Sequence, residues 1–484
     1  MDGHQLPQLP PGGDSNLLST VSQSLAFHSS PDVFLSARQT TDSTHGHSAP
    51  TVVRAKILNR DVAVISSYEH CKDILAATDS TSSSAVPAET SIRTAHEGDG
   101  ICESTFGVLP AYRQLMVDFF PAPNLLLLDT PHHRPKRQVW DEHMSKVCQA
   151  SSAIIRQIVT EELSTWLSGP NPTIDLYDKM KDLSWRILLA IFLDVDPAQK
   201  EYHTIVSLQE NLLRGQFSLF PVSISTPFWR SARSRGLDAR SKLQQILKEN
   251  MDTQPRSCPF SHESGIDKEE AASNFLLFTS SIAVKALSSL LTASLLNLFL
   301  SPGQQSLAFI LRGQDSTMRQ QMLRSILLET ERLSPPVIGV MRRVQQDIIL
   351  KSRQMDQVPT LVPTGWDAWL YFVGAGRDPS VYEQANKFVP ERFVSEAPPE
   401  PGFAFGFGGK TCLGRDITRQ IVETVAMVIL DMDLCLEGSV TEPGVRGWLG
   451  WDENVPVETI ARDLKQLPCQ RPRKPIRLHV VRRS

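Results

Sequence analysis

Phe405-Gly406-Phe407-Gly408-Gly409-Lys410-Thr411-Cys412-Leu413-Gly414 is the stretch on which the reading of this chain turns. Two incompatible chemistries can be read from it. In the first, Ala404 with Gly409-Lys410-Thr411 is a relaxed phosphate loop of a nucleotide-binding protein. Its backbone N–H groups would cradle phosphates while Lys410 pairs with them and Thr411 holds Mg²⁺. The flanks argue against that reading. A strand should precede such a loop, yet Ala397-Pro398-Pro399-Glu400-Pro401 does, and only 70 residues follow Gly414. In the second, Cys412 is the centre. Gly408 and Gly414 let backbone approach a flat ligand closely. A helix expected from Arg415 points its first N–H groups at the sulfur, which favours thiolate.

A thiolate so placed is a strong axial ligand for haem iron and pushes electron density toward O–O cleavage. The run resembles Phe-x-x-Gly-x-x-x-Cys-x-Gly, the haem loop of the cytochrome P450 family. Glu329-Thr330-Glu331-Arg332 resembles the family's Glu-x-x-Arg, 80 residues ahead of the cysteine. Its i,i+3 spacing puts both side chains on one helix face. Pro390-Glu391-Arg392-Phe393 resembles the family's Pro-Glu-Arg-Phe element, with Arg392 20 residues before Cys412. Gly376-Arg377-Asp378-Pro379 looks like the segment ahead of it.

The resemblance implies a haem b cofactor with Cys412 as the iron's protein ligand. It implies that Glu329, Arg332 and Arg392 form a buried ion triad locking the loop, and that Phe405, Gly408 and Gly414 shape the haem face. It also implies cations facing the haem propionates: His133 and Arg137 at His-x-x-x-Arg, Arg342, and Lys410. Lys410 stands where the family usually has Arg, so the charge is kept and the planar fork is lost.

The apolar stretch Phe275 to Leu300 departs from the family. Oxygen-activating members usually carry Ala-Gly-x-Asp/Glu-Thr there, an acid–alcohol pair that relays protons. No Asp or Glu occurs here from Ala271 to Gln314. Aligned back from Pro302, Lys285 and Ala286 take the pair's places; aligned from Phe278, Ile282 and Ala283 do. Two enzyme classes compete. One is a monooxygenase that obtains protons from water, Ser280, Ser281, Ser288 or a substrate hydroxyl. The other is an isomerase, lyase or dehydratase whose substrate already contains the O–O bond. A haem-binding sensor is a third class. Lys285 is a candidate catalytic group, because a buried lysine has a depressed pKa and can donate a proton near neutrality.

The remaining sequence sets the frame. With 484 residues, 41% of them hydrophobic and 21% charged, the chain can bury a large core. A net charge of −4 leaves no global positive field for nucleic acid. The basic tail reads as a last strand with a solvated face, since Ile476-Arg477-Leu478-His479-Val480 alternates. Seven cysteines, at 71, 102, 148, 258, 412, 435 and 469, show no CxxC spacing and read as ordinary thiols apart from Cys412. No basic-then-apolar leader opens the sequence, so no secretory signal or transmembrane anchor is expected. A cytoplasmic or peripherally membrane-associated protein follows. Phe275 to Leu300 is long enough to span a bilayer, but Lys285 and its many hydroxyls read as a helix buried in protein.

Residues 1–50 read as a polar, partly disordered arm, with order beginning near Thr51. Residues 51–484 read as one domain, mainly α with a small β subdomain, in the P450 manner. A hairpin turns at Asn59-Arg60-Asp61, a helix opens at Ser67, and residues 77–107 read as loop. Helices are expected over 131–167, 175–213, 237–250, 316–333 and 415–434. The implied partners are a lipophilic substrate, of the kind found in specialised metabolism, with O₂ and NADPH–cytochrome P450 reductase for a monooxygenase. A monomer is expected.

Overall fold

Ile417, Ile421, Val422, Val425, Val428 and Ile429 recur at three- and four-residue spacing and are all buried, so Arg415–Asp431 folds as a helix with one apolar face. The same patterning builds a helical body from His133–Ala150, Ser152–Thr165, Leu176–Leu193, Lys200–Gln216, Ala232–Thr253 and Ser316–Leu333. The last of these ends at Leu333, where Pro335 and Pro336 follow. One large apolar cluster joins these helices. The computed structural model describes residues 7–10, 17–40, 51–57, 60–78, 91–94, 105–129, 131–168, 172–218, 222–226, 228–253, 266–300, 306–351, 359–438, 440–442, 453–455 and 464–482. Cys102, Cys258 and most of the 77–107 and 252–265 loops lie outside them. The five described cysteines are free thiols.

The apolar stretch forms two helices, Lys268–Phe278 and Ser281–Phe299, rather than one. Asp267 opens the first, accepting from the Glu269 and Glu270 N–H groups at 3.1 and 3.2 Å. Side-chain hydroxyls compete with the helical ladder at the junction. Thr279 Oγ1 donates back to the Phe275 carbonyl at 2.8 Å, while Ser280 turns extended and its Oγ caps the Ala283 N–H at 3.2 Å. By length and composition Lys268–Phe299 passes for a membrane span. The second helix packs on Leu176–Leu193, Ser316–Leu333 and Arg415–Asp431 as the body's core helix.

Beside the helical body lies a five-stranded sheet in the order Val52–Ile57, Arg60–Ile65, Asp367–Tyr371, Gly339–Val344, Phe106–Gly107. Its first two strands are the expected hairpin, with Val53 opposite Val64. Ser67 Oγ caps the next helix, Tyr68–Ala77. The tail strand Arg477–Arg482 pairs with Leu434–Glu437 and Thr173–Asp175. Two short strands, Ile92–Thr94 and Phe106–Gly107, emerge from the stretch read as loop, because each finds a partner distant in sequence.

The first fifty residues differ most from expectation. Leu17–Ser29 and Pro31–Thr40 are helices. Phe27, Phe34 and Leu35 are buried against the hairpin, Ile338, Trp369 and Tyr371. Phe27 meets the Trp369 ring edge-to-face with centroids 4.6 Å apart. A few well-spaced apolar residues dock a segment whose average composition is polar.

Candidate haem-thiolate site

The cysteine loop is held between two helices by backbone geometry. Gly406 and Gly408 adopt φ of +72° and +69°, which L side chains rarely tolerate. A Cβ at Gly408 would stand 3.1 Å from the Leu75 carbonyl oxygen. The turn brings the Cys412 N–H to the Phe405 carbonyl at 2.8 Å, and the Arg415 N–H to the Cys412 carbonyl at 3.2 Å. The side chain of Cys412 is exposed. Protein nevertheless encloses it closely enough that burial pushes its thiol pKa up, against the opposing pull of the Gly414 N–H, Arg137 and Arg415. A metal cation at the sulfur would reverse that balance.

Glu329, Arg332 and Arg392 come together. Arg332 Nε and Nη2 donate to the two Glu329 oxygens at 2.7 and 2.6 Å, with both side chains fully buried. Arg392 Nε reaches Glu329 Oε1 at 3.1 Å. Arg332 also donates to the carbonyls of Gly376, Ala385 and Lys387. A Cβ at Gly376 would sit 2.3 Å from the Arg332 carbonyl oxygen, so that approach requires glycine. The pair thus pins the meandering chain that leads into the cysteine loop.

The four cations divide. Arg342 is buried, and among the described residues it has no ion pair. Its Nε donates to Thr78 Oγ1 at 3.1 Å and its Nη1 to the Met341 carbonyl at 2.9 Å. Burial lowers its pKa, opposed by Tyr112 and Asp129. His133 is buried at the start of its helix. Arg137 spends its guanidinium on Asp141 at 2.9 Å and on the Thr411 carbonyl. Lys410 Nζ donates to the Leu125 carbonyl at 3.3 Å and to that of Leu128. Arg137 and Lys410 therefore brace the loop instead of standing free.

Lys285 does not join the cysteine loop. Its Nζ lies 3.2 Å from Glu210 Oε2 on Lys200–Gln216, and Ser281 Oγ donates to the other Glu210 oxygen at 2.7 Å. Burial lowers the Lys285 pKa, and Glu210 opposes this. Burial alone would raise the Glu210 carboxyl; Lys285 and Ser281 bring it below its usual range. Ser288 is likewise committed, to the Val284 carbonyl at 2.6 Å and Ser184 at 3.2 Å. Beside the helix break, Cys469 Sγ contacts the Ile282 carbonyl at 3.8 Å, and the Gln470 N–H donates to the Pro336 carbonyl at 2.8 Å.

The residues fit a haem. They offer an accessible sulfur in an enclosed setting, a loop that tolerates no Cβ at Gly408, and a buried arginine without a carboxylate among the described residues. Sequence reading missed Thr78, Glu331 and Arg419. The first lies at a helix end with no motif to mark it. Glu331 falls inside a motif whose other positions drew the attention, and Arg419 lies beyond the cysteine motif on the helix that follows it.

Comparison with known proteins agrees. The model of the family described as Cytochrome P450 matches residues 311–432. Cytochrome P450 26A1 of Gallus gallus is 25% identical over 330 residues, 60% of this chain and 64% of that protein. Cytochrome P450 26B1 of Danio rerio is 24% identical over 339 residues, 61% of this chain and 62% of that protein. The chain thus spans a little under two thirds of the length of these curated relatives. A retinoic-acid-bound cyanobacterial CYP120A1 shares the fold at a TM-score of 0.69 and 18% identity, covering 98% of this chain and all (100%) of the other. Cytochrome P450EX alpha with myristic acid does so at 0.65 and 16%, covering 99% and 100%. The family model over residues 311–432, the curated relatives and the shared fold together support membership of the cytochrome P450 family.

Proposed function

We propose that the chain is a haem-thiolate monooxygenase that oxidises a lipophilic small molecule. The carrying observation is the presentation of Cys412: an exposed sulfur, enclosed by protein, on a loop fixed by the Phe405 carbonyl and by the Glu329–Arg332–Arg392 lock. Haem b, when bound, supplies the oxygen-activating iron. Cys412 holds that iron, Arg342 and His133 receive the propionates, and Phe405, Gly408 and Gly414 shape the face near the sulfur. Lys410 keeps the loop against Leu125 and Leu128, and Arg137 holds its Thr411 carbonyl.

A lipophilic substrate is supported by the apolar helix pair and by the long apolar acids, retinoic and myristic, in two structures of the same fold. Electrons would come from a reductase partner. In the distal helices the acid–alcohol pair is absent in either register. The break at Thr279–Ser280 is followed by Ser281, Ile282 and Ala283, which supports the register aligned from Phe278. Water, a substrate hydroxyl or Ser280, whose Oγ accepts from the Ala283 N–H, then delivers protons, since Thr279, Ser281 and Ser288 donate elsewhere.

The absent pair also supports a second reading, an isomerase, lyase or dehydratase acting on a peroxide. The reduced protein with carbon monoxide should show the long-wavelength Soret band of thiolate ligation, lost in Cys412→Ala. Absence of that band in the wild type sinks the haem-thiolate reading. Turnover on a hydroperoxide without reductase, and none with NADPH and reductase, would favour the second class.

A further inference from the structure

The two acids of Glu329-Thr330-Glu331-Arg332 point to opposite sides of their helix, because two residues turn a side chain by about 200°. Glu329 faces the chain entering the cysteine loop. Glu331 faces the helix that leaves it, and its side chain is only 1% exposed. Arg419 meets it with two arms: Nε to Oε1 at 2.9 Å and Nη2 to Oε2 at 2.6 Å. The same guanidinium lies 5.4 Å from the Phe405 ring centroid. Phe405 in turn accepts the Cys412 N–H at 2.8 Å. Arg419 is seven residues after the cysteine and Phe405 seven before it.

An unbroken line of contacts therefore runs from carboxylate to guanidinium, to aromatic face, to backbone carbonyl, to the cysteine. Burial pushes the Glu331 carboxyl up and Arg419 pulls it back. A buried pair of this kind loses much of its attraction to desolvation, so stability alone is a weak reason to keep one. The two-toothed geometry does something a packed leucine would not. It fixes the plane of the guanidinium, and the fixed guanidinium holds the ring it lies over.

We propose that Glu331 and Arg419 are positioning residues for Cys412, acting through Phe405. The proposal rests on Cys412 being the haem ligand. The test uses the full chain loaded with haem and two variants that damage different links. Arg419→Lys keeps the charge and loses the two-toothed grip. Phe405→Leu keeps the ion pair and loses the ring. Both should move part of the reduced carbon monoxide band from the thiolate position to the shorter wavelength of iron lacking its thiolate, with helical circular dichroism unchanged.

Glu331→Gln should act in series with Arg419→Lys, the double variant showing no more band loss than the worse single one. Unchanged bands in both Arg419→Lys and Phe405→Leu would overturn the proposal. So would a band lost in Arg419→Lys only in proportion to unfolded protein while Phe405→Leu keeps it whole. If Arg419→Lys does not fold, Phe405→Leu decides. A wild type without the thiolate band refutes the haem reading instead, which separates the two failures.

Discussion

Arg392 Nε and Arg332 Nη2 share a single acceptor, Glu329 Oε1, at 3.1 and 2.6 Å. The Val389 N–H donates to the same atom at 2.8 Å. One carboxylate oxygen thus ties a helix to two points on the chain some sixty residues downstream. Glu329→Gln would leave two arginines without their counter-charge, one of them fully buried. Removing one partner of a buried pair costs about 3–5 kcal/mol. The urea midpoint of the haem-free protein should fall accordingly; a midpoint equal to wild type would contradict this role.

Arg342 predicts a small effect on stability and a large one on haem retention. Its guanidinium is buried without an ion pair among the described residues, so Arg342→Met should cost the haem-free protein no more than about 1 kcal/mol. Haem release should quicken about ten- to a hundredfold, the loss of one charge-assisted hydrogen bond to a propionate. Transfer of haem to an apo-globin acceptor measures it. Equal rates for variant and wild type would remove Arg342 from the haem site.

The Glu210–Lys285 pair sets an acid limit. The folded-state pKa of Glu210 lies below its unfolded value, so its contribution is complete above about pH 4.5 and is lost as pH falls through the folded value. The pair is partly exposed, so the contribution is about 1 kcal/mol or less. Melting temperatures between about pH 3 and 6 should show this acid loss in the wild type and not in Glu210→Gln. Lys285→Met should leave turnover and coupling unchanged, since Nζ is committed to Glu210. A sharp fall in turnover with a normal melting temperature would restore Lys285 to the chemistry.

Phe27 tests the docking of the N-terminal helices. It is buried between Phe34 and Trp369. Phe27→Ala should lower stability by about 3–4 kcal/mol, read from the denaturant midpoint. A loosely attached arm would show no change.

The sequence was most legible where chemistry demands particular residues at a fixed spacing. The cysteine loop and the two halves of the ion triad were of that kind. Regular periodicity likewise revealed Arg415–Asp431 and Ser316–Leu333. What escaped was decided by single contacts. Leu17–Ser29 lies in a segment read as a polar arm, and it docks through Phe27 meeting Trp369 and Ser24 Oγ donating to the Lys56 carbonyl, contacts that no local pattern announces. The helix break at Thr279–Ser280 depends on whether two hydroxyls bond their own backbone, which periodicity does not register. The Glu331–Arg419 pair joins residues 88 positions apart, a distance across which local pattern carries no information.

Cys469 against Ile282, and Gln470 against Pro336, bring the tail of the chain onto the helix break and the turn after Leu333. During synthesis Ile282 and Pro336 emerge long before residue 470. The wall they form together can close only once residues 469 and 470 have been made. A chain stopped before residue 469 would lack both contacts and leave this side open. The contact therefore makes the arrival of residues 469 and 470 the step that seals this side of the molecule.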